Sequence, residues 1–521
     1  MESKNFYVTS PIYYVNDIPH IGHAYTSIAC DVIARFKRLE GFNTYFLTGT
    51  DEHGQKVEKS ALARGKTPQE FCDEISLKFR ELTKILDLSN DDFIRTTEER
   101  HKNAAQKFWK ILEEKGWIYK GTYEGWYAVR DEAFYAEDEL VDGKAPTGAE
   151  VTWHKEESYF FKLSAFQEKL LMLYEAAPDF IRPQSRFNEV VSFVKGGLKD
   201  LSISRTSFSW GVKVPGDEKH VMYVWLDALT NYISALGFTD ENSKKYQDFW
   251  HNTEESPVHI VGKDIVRFHA VYWPAFLMAA DINLPHSVYA HGWWTNDGQK
   301  ISKSVGNVID PIAEIKWLED FGISAETALD YFKYFLLREV PFGNDGDYSR
   351  GSFLNRINSE LSNNIGNLAQ RSLSMIYKNN NGEIVDFKGY APAENLLKDT
   401  YKLADNVKEK MKKFAFDQAI FEILIHSSKC NEFINDKAPW NLRKEGKIDE
   451  MNFVLSVVAE NLRVIAIALQ AFVPNLSGKV LDVLNVDKSA RNLDFIAQNH
   501  ALKSGHKINE PKVIFPRLEV K

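Results

Sequence analysis

Phe6-Tyr7-Val8, a short apolar run, leads through a loop into His20-Ile21-Gly22-His23, and from there a stretch with helical spacing runs to Leu39, where Gly41 supplies a stop. A second run, Asn43 to Leu47, is again followed by a loop and a helical stretch. A chain that alternates strand and helix in this way lays its strands down in parallel, because each must be reached by a crossover. Residues 1–115 therefore read as the first half of a doubly wound sheet. In such sheets ligands bind beyond the carboxyl ends of the strands, and the free N–H groups at a helix N-terminus attract anions. His20 and His23, three residues apart, share one face of that helix end and are candidate donors to phosphate oxygens. Gly22 between them has no side chain to keep a base away from the backbone.

Working outward, the texture changes at residues 116–222 to aromatic, Gly-rich, short-period segments such as Tyr123-Glu124-Gly125-Trp126-Tyr127, which read as an insertion with its own small fold. Strand signals resume at Pro257 to Val261 and Ser287 to His291, so residues 223–323 form the second half of the sheet domain. Residues 324–355 read as a linking region, and 356–521 as helical almost throughout, with an apolar pattern from Phe453 to Phe472 that Pro474 breaks. The expected fold class is α/β: a split Rossmann-like parallel sheet with a connective insertion, followed by an all-α helical bundle.

Length and composition narrow the function classes. A chain of 521 residues exceeds one core, and 44% hydrophobic with 26% charged residues is ordinary for a globular protein. No apolar run reads as approaching the roughly 20 residues of a membrane helix, and Met1-Glu2-Ser3-Lys4-Asn5 has no signal-peptide pattern, so a cytoplasmic protein without a membrane partner is expected. Cys30, Cys72 and Cys430 are too few and too scattered for a disulfide framework or a four-thiolate metal site. The net charge is −9, yet residues 351–521 carry 24 Lys and Arg against 20 Asp and Glu, a mild local surplus compatible with a polyanion.

Far downstream, Lys300-Ile301-Ser302-Lys303-Ser304 follows Gly298 in a polar loop. Paired ammonium groups there would neutralise charge building up on departing pyrophosphate, a contribution made mainly in the transition state. No nucleophile motif is evident, and phosphoryl chemistry of this kind depends on positioning and charge stabilisation.

The histidine and lysine pairs, in a sheet interrupted by an insertion and followed by a helical bundle, resemble the class I aminoacyl-tRNA synthetases over nearly the whole chain. Within that class the match is to the methionyl-tRNA synthetase family, through Val8-Thr9-Ser10-Pro11-Ile12-Tyr13-Tyr14, Thr48-Gly49-Thr50-Asp51-Glu52-His53-Gly54, Tyr223-Val224-Trp225-Leu226-Asp227-Ala228 and Val261-Gly262-Lys263-Asp264-Ile265. The resemblance implies activation of L-methionine by ATP, with Mg2+, to methionyl-adenylate, and transfer to the 3′-terminal adenosine of tRNA-Met, initiator and elongator alike. It implies a methionine pocket of Ile12, Tyr14, Trp225, Ala228, Tyr232 and His269, with Asp51 on the α-ammonium; aromatic rings suit a polarizable thioether. It assigns ATP to His20, Gly22, His23, Gly262, Asp264, Lys300, Ser302 and Lys303, with both histidines and both lysines catalytic. Arg205 matches a family motif near the pocket. Asn367, Arg371 and Trp440 match the family's readers of the CAU anticodon; the first two lie four apart on one helix face, and Trp440 could stack on a splayed base.

The chain departs from the family first in its knuckle. Where many members carry a zinc knuckle, it reads Tyr127-Ala128-Val129-Arg130-Asp131-Glu132 and Gly143-Lys144-Ala145-Pro146-Thr147-Gly148, without cysteine. Asp131 with His154 falls short of a tetrahedral ligand set, so no zinc is expected, and an intact knuckle stabilised by its aromatics is. Ile301 stands where the family more often has Met, a volume-conserving change. A chain ending at Lys521 leaves no room for an appended dimerising module, which favours a monomer. The rival readings are another compact class I synthetase and a catalytically silent tRNA-binding paralogue. The insertion is too short for the editing domain of the isoleucine, leucine and valine enzymes, and the thiols that hold the cysteinyl enzyme's zinc are missing.

Overall fold

The computed structural model describes residues 4–15, 18–131, 133–240, 242–301 and 306–519. They fall into two compact units, one of Met1–Pro19 with Asn43–His291 and the other of His20–Phe42 with Gly292–Lys521. The first unit is built on a six-stranded parallel sheet in the order Asp92–Arg95, Asn43–Asp51, Asn5–Tyr14, Val258–Gly262, Ser287–His291, Ile181–Arg182. Strand Asn5–Tyr14 is the switch point from which the sheet grows both ways, the place where open α/β sheets bind ligands. Its two central neighbours come from opposite sides of the insertion, so the sheet is split as the sequence predicts.

Both faces are covered, which is why these strands read as near-continuous apolar runs. Neighbouring residues on one strand serve different cores. Ile94 packs with Tyr7, Leu47 and Trp109, whereas Phe93 packs with Tyr13, Val57 and Phe79. The sixth strand, Ile181–Arg182, belongs to the insertion by sequence, yet it pairs with the edge of the main sheet. The rest of the insertion holds a four-stranded antiparallel sheet, in the order Ala133–Tyr135, Ile118–Ala128, Thr152–Phe161, Leu201–Ser202.

The second unit holds helix Ile21–Leu39, a three-stranded sheet in the order Gln299–Lys300, Trp294–Asn296, Gly346–Tyr348 with helices Pro311–Glu319 and Ala325–Arg338 between its last two strands in the chain, and then helices as far as His500. At the heart of the bundle lies helix Ile448–Leu469. Contrary to the sequence expectation, it is long and apolar enough to cross a membrane, but 94% of its apolar window is buried in protein. It is all-round hydrophobic because it is surrounded by other helices. Cys30, Cys72 and Cys430 are free and buried, as ordinary packed residues.

Candidate functional site

Pro11 cannot donate to the sheet ladder, and the strand takes up the irregularity as a bulge: Thr9 stands opposite Leu47 but Ile12 opposite Gly49. Beyond the bulge the alternation resumes. Tyr13 and Val15 are buried, while Ile12 and Tyr14 share the half-buried side and rim the larger apolar core together with Trp225. Tyr14 is the register partner of Asp51 at the carboxyl end of the next strand.

Of the acidic and basic residues that follow there, two are fixed in the structure. Glu52 takes a bidentate Arg95 at 2.7 and 3.0 Å and hydroxyls from Thr97 at 2.5 Å and Thr50 at 2.8 Å. His53 Nδ1 lies 2.6 Å from Asp227 Oδ2, and His101 Nε2 lies 2.7 Å from Asp227 Oδ1. Burial pushes the Asp227 carboxyl upward, but the two facing imidazoles hold it well below the usual carboxylate range.

Helix Val224–Leu229 carries Trp225 and, one turn on, Ala228. Trp225 stacks on Phe268, centroids 3.7 Å apart at 7°, and meets His269 edge-on at 6.0 Å. Phe268 and His269 open a single π turn, Phe268–Tyr272, a local widening common at functional sites. The hydrogen bonds settle the tautomer of His269. Its Nδ1–H donates to the Ile265 carbonyl at 3.0 Å, so Nε2 accepts the Tyr232 hydroxyl at 2.7 Å. Burial brings the His269 pKa down to about 4, so the ring is neutral at pH 7. The two polar tips satisfy each other inside a buried aromatic cluster, where the Tyr232 ring also stacks on His259 at 4.1 Å. Sequence reasoning had no signal for Phe268, whose partner is 43 positions away along the chain.

Arg205 is buried, donating to Ser202 at 2.9 Å and lying over the Tyr223 ring at 4.8 Å, next to the pocket helix. At the end of strand Val258–Gly262, a Cβ on Gly262 would come within 2.5 Å of Asp264 Oδ1, so the glycine admits the fold-back of this carboxylate.

In the second unit, His20 is the N-cap of helix Ile21–Leu39 and closes a capping box with His23. His20 Nδ1 accepts the Gly22 N–H at 3.1 Å, and His23 Nδ1 accepts the His20 N–H at 3.1 Å. With Nδ1 accepting, each neutral ring carries its proton on Nε2, a donor set at a helix N-terminus. Burial, reinforced by His20, pushes the His23 pKa well below the usual imidazole range, so it offers a dipole and not a cation. Any Cβ on Gly22 would sit 3.0 Å from His20 Cε1. The absent side chain thus makes room for the folded-back His20 ring, a nearer role than the approach of a base.

Lys300 ends a hairpin strand, Gln299–Lys300, paired with Trp294–Asn296 across Asp297-Gly298, both at positive φ as a type I′ turn requires. Its side chain, and Ser302 and Lys303, lie outside the described residues.

Asn367, exposed, opens helix Asn367–Asn379, and Arg371 lies one turn further. The Arg371 guanidinium sits 4.6 Å over the Trp440 ring. Helix Phe416–Lys437 is ended by Ala438, left-handed at φ 41°, and Pro439 starts the next helix, so this strained turn presents Trp440 half-exposed. Trp440, Lys378, Arg443 and Lys444 line an open groove of about 490 Å³.

The residues of the knuckle do not fit zinc. Asp131 accepts the Tyr135 hydroxyl at 3.0 Å, the Thr147 hydroxyl, and Arg130 Nε at 3.2 Å. His154 bonds Thr152 at 2.9 Å. Ala128, Ala145 and Ala149 form a small core with Tyr135 against it. Tyr127 is buried edge-on to His154 and Trp126 meets Trp153, so aromatic packing is present at the turn, and the Asp131 carboxylate adds a polar knot that the sequence reading did not anticipate. Asp131→Ala should raise protease cleavage within residues 129–151 about tenfold, the loss of roughly 1.4 kcal/mol of charged hydrogen bonding, with no response to chelators in either protein. Unchanged cleavage would remove Asp131 from this role.

Comparison with known proteins follows the same lines. The family described as tRNA synthetases class I (M) matches residues 6–151 and 147–373, and the anticodon binding domain of methionyl tRNA ligase matches 388–520. The chain is 56% identical to the methionine–tRNA ligase of Rickettsia felis over 99% of both chains. It is 50% identical to that of Brucella suis, over 99% of this chain and 98% of the relative. The structure of Mycobacterium tuberculosis methionyl-tRNA synthetase in complex with methionyl-adenylate superposes with a TM-score of 0.93 at 45% identity, over 99% of this chain and all of the other.

Proposed function

The chain belongs to the methionyl-tRNA synthetases of class I, and from that membership we propose how its residues carry the reaction. L-Methionine is activated with ATP to methionyl-adenylate and then passed to the 3′-terminal adenosine of tRNA. In the first step a methionine carboxylate oxygen bonds to the α-phosphorus while the bond to the departing pyrophosphate breaks in line. Asp51 pairs with the α-ammonium, and Ile12, Tyr14, Trp225, Ala228, Tyr232 and His269 pack the thioether. His20 and His23 donate Nε2–H to phosphate oxygens; Gly262 and Asp264 meet the nucleoside; Lys300, Ser302 and Lys303 receive the pyrophosphate charge. ATP enters as its Mg2+ complex. In the second step the terminal 2′-hydroxyl attacks the activated carbonyl and AMP leaves. The acceptors are initiator and elongator tRNA-Met, read by Asn367, Arg371 and Trp440, and the working unit is a cytoplasmic monomer.

The observation that supports this reading lies in the proposed lining, an aromatic cluster in which the polar tips of Tyr232 and His269 satisfy each other at 2.7 Å and the imidazole is neutral. An apolar, polarizable side chain is what such a lining selects. Amino-acid-dependent exchange of pyrophosphate into ATP tests it: exchange with methionine alone is expected, and none with any amino acid would leave a silent tRNA-binding protein.

Trp440→Ala should lower tRNA charging by about 5- to 150-fold, the range of one base–aromatic stack of roughly 1–3 kcal/mol, and leave methionine-dependent exchange unchanged. Undiminished charging would take Trp440 out of the anticodon site.

A further inference from the structure

Asp227 stands in the family-like segment Tyr223 to Ala228 but belongs to none of the binding sets above. It is fully buried, as is His101, and His53 is 3% exposed. A buried carboxylate facing two imidazoles is costly to assemble and unneeded for packing alone. What it connects gives it a purpose. His53 lies two residues past Asp51 on the same segment, and His101 belongs to helix Glu99–Glu114 and also bonds Ser234 at 3.0 Å. Asp227 itself sits on helix Val224–Leu229 between Trp225 and Ala228. One carboxylate thus ties the segment assigned to the ammonium of methionine to the helix assigned to its thioether, and braces both on a third element.

We propose that Asp227 is a positioning residue that sets the distance between the ammonium anchor and the side-chain pocket, and so the length of amino acid the site accepts. The inference rests on the proposed roles of Asp51, Trp225 and Ala228. The carboxylate is suited to this because its two oxygens take the two rings at 2.6 and 2.7 Å, leaving each partner little rotational freedom. A displacement of a fraction of an ångström at one end would misplace a substrate gripped at both.

The test is pyrophosphate exchange by the full-length protein with Asp227→Asn, His53→Ala and His53→Asn, after active-site titration. Asp227→Asn and His53→Ala are expected to raise the methionine KM about tenfold or more, with the ATP KM and kcat within about threefold of the parent. They should also reduce, about fivefold, the preference for methionine over ethionine, one methylene longer, since methylene discrimination is a modest effect to begin with. His53→Asn, whose amide nitrogen can stand where Nδ1 was, should restore most of both. A purely structural role would lower the active fraction and Tm without moving KM or the preference, and that result overturns the proposal. If Asp227→Asn does not fold, the His53 pair decides by the same criteria. Asp51→Asn is the control: if it leaves the methionine KM unmoved, the assignment of Asp51 fails; if it raises KM while the Asp227 and His53 variants do not, only the present inference fails.

Discussion

His23→Ala lowers the rate of adenylate formation by about 10²- to 10³-fold, the usual consequence of deleting one preorganised donor to a developing anionic centre, while methionine binding changes little. The size of the effect follows from how the ring is held. His23 Nδ1 is engaged by the His20 N–H at 3.1 Å, which leaves Nε2 as the proton-bearing atom at the positive end of the helix. Because burial depresses its pKa, the donor is a neutral imidazole across pH 6 to 8, and the rate should gain no limb from His23 in that window. The same depression has a stability sign. As pH falls below about 6.5 the unfolded chain takes up the proton before the folded one does, so this contribution is present at neutral pH and is lost on acidification. Alanine also deletes half of the capping box, at a cost of about 1 kcal/mol, so a companion is needed. His23→Asn retains an acceptor near the Nδ1 position but does not reach Nε2. It should recover the Tm and remain slow in rapid-quench measurement of adenylate; recovery of the rate together with the Tm would reduce the histidine to a helix cap.

What was legible in the chain beforehand was whatever local pattern dictates. The run Phe6 to Val8 and the helix from about His20 to Leu39 come from apolar spacing and a stop signal, and the helix was found as Ile21–Leu39 with His20 as its cap. The strand, however, continues past Val8 through Pro11 to Tyr14, because a bulge absorbs the proline. That extension is what carries Ile12 and Tyr14 to the ligand end of the sheet. The strand Ile181–Arg182 was invisible because two residues have no periodicity and only the exposed edge of an existing sheet gives them a partner. The bond from His53 to Asp227, 174 positions apart, and the stack of Trp225 on Phe268 are likewise products of folding. Asp131 could have been suspected: without cysteines, a knuckle needs another acceptor at its centre, and Asp131 beside Arg130 was in view.

Replacing Lys333 by Met should cost about 3 kcal/mol of unfolding free energy, the scale at which breaking a buried ion pair exposes its partner's uncompensated charge. Lys333 lies on helix Ala325–Arg338 with no solvent exposure and donates to Asp31 Oδ2 at 3.2 Å. Asp31 is equally buried and stands in the third turn of the helix that His20 caps, so the ion pair fixes the histidine-bearing helix to its neighbour. Arg35, at 2.8 Å from the same oxygen and 22% exposed, keeps part of the pairing and places the loss at the low end of the usual range. One turn before Lys333 is Asp330, which accepts the Leu476 N–H at 2.8 Å and Asn475 at 3.0 Å. Burial pushes its pKa up to about 6, against the opposing pull of those hydrogen bonds and of Lys333. The folded state therefore binds this proton before the unfolded one, whose value is about 3.9, and stability gained below that value is lost as pH rises through 6. Without Lys333 the folded value moves higher still, and Asp31 loses the cation that favours its charge. Both changes make the variant weakest in alkali, so the gap from the parent in denaturant unfolding should narrow between pH 8 and pH 5.5. Lys333→Met combined with Asp31→Leu removes the stranded charge and should recover most of the loss. A deficit that is flat with pH, or a double variant no more stable than the single one, would show that the lysine serves only to fill space.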